Sequence, residues 1–87
     1  MQDETLLRSL SAARTAYLQG QSDLAIDLYR KARERARERD DQAALAGIVH
    51  DLAAAELQKG DAKAALATAR AGLDEMERRH MQGAAPL

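Results

Sequence analysis

Two histidines are the first residues to weigh for chemistry, because histidine binds metals and moves protons near neutral pH. They are His50 and His80. A metal site on a helix needs a second ligand three or four residues away, and no His, Cys or carboxylate stands at that spacing from His50. Its neighbour Asp51 would point about 100° away around a helix. His80 falls in the last turn of a predicted helix, where the helix dipole favours positive charge. We expect no metal site and no cofactor.

Nucleophilic catalysis is also not indicated. Ser9, Ser11 and Ser22 lack the sharp glycine-flanked turn that exposes a catalytic serine. The carboxylates are scattered among basic residues, where paired acid and base groups would be needed. With no cysteine there is neither thiol chemistry nor a disulfide. The sequence therefore predicts no catalytic residues and a protein that is not an enzyme.

A run of basic residues is the strongest local charge feature. It comprises Arg30, Lys31, Arg33, Arg35, Arg37 and Arg39. Such a run could contact nucleic acid, but charges spread around three sides of a helix are more typical of a solvated, salt-bridged face. We expect Arg30 to pair with Glu34, and no aromatic residue interleaves to stack a base. A nucleic-acid-binding module using residues 30–39 is the alternative interpretation.

Length and charge set the outer limits. Eighty-seven residues suffice for one domain, and a net charge of −1 creates no general attraction to nucleic acid or anionic lipid. The longest apolar run, Ala43 to Val49, is too short to span a membrane. Two of the first four residues, Asp3 and Glu4, are acidic, where a secretory signal would be basic. We expect a cytoplasmic protein with no membrane contact.

The elements that must position these residues are helices. Twenty residues are alanine, the best helix former, and there is no Phe or Trp. Breaks at Gly20, Asp40-Asp41 and Gly60-Asp61 divide the chain into four segments. We predict an all-α domain over residues 1–80, with one helical hairpin at about 4–39, a second at about 42–80 and a disordered tail at 81–87. The predicted N-caps are Asp3, Ser22, Asp41 and Asp61.

Helical spacing of apolar residues predicts the buried face of each helix. The first stripe holds Leu6, Leu10, Ala13 and Tyr17, widened by Leu7 and Leu18. The second holds Ala25, Leu28, Tyr29, Ala32 and Ala36, and the third holds Leu45, Ile48, Val49, Leu52, Ala53 and Leu57. The fourth holds Ala65, Leu66, Ala69, Leu73 and Met76. We expect the second helix to end near Arg39 and the fourth helix to end near His80.

The two halves repeat with a period of 40 residues. Small or aromatic residues follow Gly20 at Ala25, Tyr29 and Ala32, and the same intervals after Gly60 give Ala65, Ala69 and Gly72. Small side chains are needed where two helices cross closely. This pattern resembles the tetratricopeptide repeat family, although the usual tryptophan is missing and the period exceeds the standard 34 by six. The resemblance implies four antiparallel helices in two hairpins, forming a short right-handed α-solenoid.

What the resemblance implies for function is a non-catalytic scaffold or adaptor that binds a peptide or helix of a partner protein, or a second copy of itself. The binding groove would be lined by the first helix of each hairpin. Carried over by position, the partner-binding residues are Leu7, Leu10, Arg14, Tyr17, Leu18, Gly47, His50, Asp51, Ala54 and Leu57. Since the outermost helices carry more apolar residues than one internal interface consumes, we also expect a homodimer or a hetero-complex.

Overall fold

The computed structural model describes residues 3–83, with the side chains of residues 3–81. Four helices make up this part of the chain, and it contains no strand. They are α1 (Glu4–Leu18), α2 (Ser22–Glu38), α3 (Gln42–Lys59) and α4 (Ala62–Gly83). The all-α prediction is confirmed. The fourth helix continues past His80 to Gly83, so residues 81–83 of the predicted tail are helical. Residues 84–87 of that tail lie outside the described residues.

Aspartate side chains cap three of the four helices. Oδ1 of Asp3 accepts hydrogen bonds from the backbone N–H groups of Thr5 and Leu6. Asp41 and Asp61 each accept one from the residue three positions on. Each bond satisfies a backbone donor that has no partner within the first helical turn. The predicted cap at Ser22 is wrong, because Ser22 is already helical.

The three connections between helices share one geometry. Gly20, Asp40 and Gly60 have positive φ angles of 76°, 52° and 92°. In each case the N–H of that residue bonds to the carbonyl three residues back, and the next N–H bonds to the carbonyl five residues back. This is the Schellman helix ending, in which a left-handed residue lets the chain reverse. The turns recur every 20 residues, which is half the period seen in the sequence. Of the three turn residues, only Asp40 is not a glycine, so only Asp40 adopts a positive φ angle with a side chain in place.

Alanine and a few larger aliphatic residues fill the core. Ala13, Ala25, Ala32, Ala36 and Ala65 are all buried, as the apolar stripes predicted. Ile48 and Leu52 are the largest fully buried side chains. Ala16, Ile26 and Ala55 are also buried, although they were not assigned to the predicted faces. Because the core relies on small side chains, the helix axes can approach closely.

Several residues predicted to be buried are exposed instead. On α4, Leu66, Leu73 and Met76 are exposed over 53%, 58% and 38% of their surface. Leu57 at the end of α3 is also exposed. The apolar stripes of α3 and α4 are therefore wider than the surface that their neighbours cover.

Consecutive helices form the extensive interfaces of the described chain: α1 packs on α2, α2 on α3 and α3 on α4. Polar contacts tie the helix ends together. Asp3 Oδ2 lies 2.6 Å from Nε of Arg35 and 3.4 Å from Nε of Arg39, which places the start of α1 beside the end of α2. Lys59 pairs with Asp23 at 2.7 Å, which places the end of α3 beside the start of α2.

A buried carboxylate on α3 contacts both of its neighbouring helices, α2 and α4. Glu56 on α3 is 2% exposed and accepts a hydrogen bond of 2.6 Å from the hydroxyl of Thr68 on α4. Its other oxygen lies 3.6 Å from a guanidinium nitrogen of Arg30 on α2. The predicted Arg30–Glu34 pair is absent from the described contacts because Arg30 turns to Glu56, while Glu34 pairs with Arg37.

Arg37 is a structural residue. Its guanidinium donates to Glu75 of α4 at 3.0 Å and to Glu34 at 2.7 Å. Hydrogen bonding to Arg37 lowers the pKa of the Glu75 carboxyl, against the opposing effect of burial. Arg37 therefore joins α2 to α4, two helices that are not consecutive, in addition to its pair within α2.

Candidate binding groove between α1 and α3

Helices α1 and α3 border a groove, and a few polar contacts connect them across it. The amide nitrogen Nε2 of Gln58 donates a hydrogen bond of 2.9 Å to the backbone oxygen of Tyr17. Further along, a guanidinium nitrogen of Arg14 lies 4.0 Å from a carboxylate oxygen of Asp51. These contacts connect residues about 40 positions apart, so the first helices of the two repeats border the same groove.

The groove contains a cleft of about 250 Å³, which we call the tyrosine cleft. Its lining residues are Arg14, Tyr17, Leu18, Tyr29, Asp51 and Ala54. Most of the exposed lining is apolar, contributed by aromatic, leucine and alanine side chains. The Arg14–Asp51 pair lies among these residues and places one charge of each sign at the cleft. An apolar side chain flanked by a polar or charged group would complement this surface.

Tyr29 reaches the tyrosine cleft from α2 and is 2% exposed. Burial raises the pKa of its hydroxyl, and the nearby negative charge of Asp51 raises it further. The positive charge of Arg14 opposes this effect on the pKa. The hydroxyl is therefore neutral at physiological pH and can donate or accept a hydrogen bond, but it does not act as a base.

A second cleft, of about 390 Å³, lies toward the start of α1, and we call it the leucine cleft. Its lining residues are Asp3, Leu6, Leu7, Leu10, Arg39, Asp41 and Ala44. Apolar and polar groups contribute about equally to its exposed lining. The hydrogen bond from Arg35 holds the pKa of the Asp3 carboxyl below its usual value, so this side of the cleft stays ionised.

The structure distributes the residues predicted from the sequence over these two clefts. Five of them surround the tyrosine cleft: Arg14, Tyr17, Leu18, Asp51 and Ala54. Two more, Leu7 and Leu10, line the leucine cleft. His50, Leu57 and Gly47 are exposed on α3 and line neither cleft.

Sequence reasoning missed the residues that α2 and the helix ends contribute. Tyr29 was assigned to the core and not to the groove, although its place as the aromatic residue of the repeat could have indicated both roles. The sequence indicates Asp3 only as a helix cap and Arg39 only as a member of the basic run. Their meeting at the leucine cleft joins residues 36 positions apart, which no local pattern reveals.

The polar side chains along the groove are not arranged as a metal site or as an acid–base pair. The ring nitrogen Nδ1 of His50 lies 3.2 Å from Oδ1 of Asp51, with the imidazole almost fully exposed. Within residues 3–81, no group of three or more His, Cys, Asp or Glu side chains is arranged to hold a metal ion. What the groove offers is apolar surface with charges at its rim, which is suited to binding.

The chain matches no protein-family model, and comparison with curated proteins and with solved structures gives no match either. None of the helices in the described part of the chain is both long enough and apolar enough to span a membrane.

Proposed function

We propose that this chain is a non-catalytic protein-interaction module of tetratricopeptide-like hairpins, and that it binds a segment of a partner protein in the groove between α1 and α3. The observation that carries the proposal is the pair of clefts along one groove, bordered by the first helix of each 40-residue repeat. A binding surface of this kind needs apolar anchor positions and a few polar groups that fix orientation, and both are present.

The spacing of the clefts constrains the bound segment. Leu10 lines the leucine cleft and Tyr17 the tyrosine cleft, and seven helical residues span about 10 Å. Two apolar side chains of the partner would enter the two clefts. In an extended peptide they would stand about three residues apart, whereas in a helix they would stand about seven apart. The charges of Asp3, Arg39, Arg14 and Asp51 would select polar neighbours of these anchors.

The alternative, nucleic-acid binding through residues 30–39, is less well supported by the contacts. Five of the six basic residues there have a carboxylate within 4.0 Å: Arg30, Lys31, Arg35, Arg37 and Arg39. A basic side chain that is already paired with a carboxylate must give up that pair before it can neutralise a phosphate and release counterions from the nucleic acid. Arg33 is the one member of the run with no ion pair among the described residues.

Selection from a random-peptide library displayed on phage tests the proposal. We expect enriched peptides to carry apolar residues at one of the two spacings given above. Their affinity should fall by about tenfold or more in Leu18→Arg and Ala54→Arg variants, which place a charge in the tyrosine cleft. Leu24→Arg is the matched control, because Leu24 is an exposed leucine on α2 that lines neither cleft.

Two results would count against the proposal. One is the absence of any selected peptide whose binding responds to the cleft variants while both variants keep full helicity by circular dichroism. The other is binding of a single-stranded oligonucleotide that weakens steeply between about 50 and 200 mM salt and is lost on charge reversal at Arg33. The second result would favour the basic helix as the functional surface.

A further inference from the structure

Helix α4 carries a stripe of mostly apolar residues that the other described helices leave largely exposed. We call it the α4 stripe, and it consists of Leu66, Ala69, Leu73, Met76 and His80. The residues alternate in steps of three and four, the spacing of the a and d positions of a coiled coil. A hollow of about 420 Å³ opens at its C-terminal half, lined by Leu73, Met76, Glu77, His80 and Met81. Nearly all the exposed lining of this hollow is apolar.

The 40-residue repeat shows what kind of surface the stripe is. Its members Leu66, Ala69 and Met76 correspond to positions 26, 29 and 36 of α2. In α2 these positions hold Ile26, Tyr29 and Ala36, which are 6%, 2% and 0% exposed. Helix α2 has neighbours on both sides, α1 and α3, whereas α4 packs extensively only on α3 among the described helices. Three of the five stripe residues therefore repeat positions that are buried in the first hairpin, whereas Leu73 and His80 correspond to the polar residues Arg33 and Asp40.

Charged residues beside the stripe indicate what would cover it. Arg70 and Glu77 stand seven residues apart, one heptad, and both are exposed. Neither forms an ion pair with any residue in the described part of the chain, where most other arginines do. Both occupy the same flanking position of the heptad, the position labelled e when Leu66 and Leu73 are a.

We propose that the α4 stripe binds the α4 stripe of a second copy of this chain, with the two helices antiparallel. In this arrangement Leu73 of one copy packs beside Met76 of the other, and Ala69 packs beside His80. The two e positions then face each other across the seam. Arg70 of each copy lies opposite Glu77 of the other, so two complementary ion pairs form by symmetry.

A parallel pairing does not use these charges. In a parallel two-stranded coil an e position faces a g position, and the g positions of α4 near these charges are Gly72 and Arg79. Gly72 is buried against α3, and Arg79 is engaged with Asp40 and Glu75. Of these two orientations, only the antiparallel one places Arg70 of one copy opposite Glu77 of the other, on the side of α4 that does not face α3. This charge complementarity is the reason for choosing a second copy of the chain as the partner.

The proposal is tested on the full chain by analytical ultracentrifugation over a range of micromolar concentrations. We expect a reversible monomer–dimer equilibrium between 9.5 kDa and twice that mass. Leu73→Glu, at the centre of the stripe, should raise the dimer dissociation constant by about tenfold or more. Leu24→Glu is the matched control, since Leu24 is an exposed leucine on α2 that lines neither cleft, and its substitution should leave the dimer unchanged.

Charge reversal distinguishes this register from any other dimer. Arg70→Glu alone places two acidic residues opposite each other, and Glu77→Arg alone places two basic residues opposite each other. Each variant should be weakened as a homodimer by about tenfold. An equimolar mixture of the two variants should restore association as a heterodimer, because both facing pairs are then of opposite charge.

Three outcomes would overturn the proposal. The wild-type chain could sediment as a monomer at every concentration. It could form a dimer that is insensitive to Leu73→Glu, which would place the interface elsewhere. The mixture of charge-reversed variants could fail to recover affinity while each variant keeps its helicity, which would exclude the antiparallel register. None of these results bears on peptide binding in the groove, which lies between other helices.

Discussion

A Cβ atom on Gly72 would lie 2.5 Å from Cγ1 of Val49, so helices α3 and α4 approach at a point where no side chain larger than hydrogen fits without movement. The sequence suggested a closely approaching helix at this glycine, and that helix is α3 of the same chain. Gly72 is therefore tolerated in a helix interior, where it costs about 1 kcal/mol relative to alanine.

The first prediction concerns this contact. Gly72→Ala gains helix propensity but forces the β-branched Val49 to shift, at a cost of about 1 to 3 kcal/mol. We expect a net loss of stability in urea unfolding. Val49→Ala should absorb the added methyl, so the double variant should be more stable than the sum of the single effects by about 1 kcal/mol. Additive effects would show that the two residues do not contact each other.

The second prediction concerns the buried carboxylate of Glu56. Thr68→Val keeps the shape of the side chain but removes the 2.6 Å hydrogen bond to Glu56. We expect the free energy of unfolding to fall by about 1.5 to 3 kcal/mol, because a buried charge loses a partner. Adding Glu56→Leu should recover part of that loss, since no unsatisfied charge then remains. A Thr68→Val variant as stable as the parent would contradict this interpretation of the pair.

The third prediction concerns acid. Hydrogen bonds from Arg35 and Arg37 lower the pKa values of Asp3 and Glu75 in the folded chain. A lowered folded-state pKa contributes stability that is fully present above the unfolded-state value of about 4 and is lost as pH falls through the folded-state value. We therefore expect Asp3→Asn and Glu75→Gln to be less stable than the parent at about pH 7, with the difference shrinking as the pH falls below the unfolded-state value.

Urea unfolding at several pH values measures this effect. Asparagine still caps a helix, so Asp3→Asn isolates the charge from the cap. Glu4→Gln is the control, because Glu4 makes only an exposed pair with Arg8 at 3.8 Å and should change little at any pH. A destabilisation by Asp3→Asn that persists unchanged at low pH would mean that the ion pairs are not its cause.

The fourth prediction concerns the turn between α2 and α3. Asp40 adopts a φ angle of 52°, which glycine occupies without steric cost. Asp40→Gly and Asp40→Ala both remove the ion pair with Arg79, so the comparison between them isolates the backbone. We expect the glycine variant to melt higher, by an amount corresponding to about 1 to 2 kcal/mol. Equal stability would indicate that the turn rearranges when the side chain is changed.

How well the sequence predicts a feature of this fold depends on how far apart along the chain the interacting residues lie. The bounds of α3 follow from Asp41 and Gly60, because capping and left-handed turns are encoded within a few residues. Burial is different. Helical spacing identifies Leu66 and Leu73 as part of an apolar stripe but does not say whether another helix covers that stripe. The Arg37–Glu75 contact joins residues 38 positions apart, and no local pattern indicates it.

In the candidate groove, too, the sequence predicts the residues that lie on one helix but not those that another helix contributes. The repeat places Arg14, Tyr17 and Asp51 on the first helix of each hairpin, and these three residues do surround one cleft. His50 precedes Asp51 directly, but it turns away from the groove because adjacent helical residues differ by about 100° in direction. Only the packing of α2 between the other helices brings Tyr29 into the tyrosine cleft.

The order in which the helices pack also determines how the chain responds to mechanical force. Since the extensive interfaces of the described chain join helices that are consecutive along it, most stabilising contacts are local in sequence. Chains of this kind fold quickly, because little loop entropy is lost before contacts form. If the two ends were pulled apart, the outermost helices would detach first, because each packs extensively on only one other helix, and the polar links from Arg37 and Glu56 would resist the separation of α4.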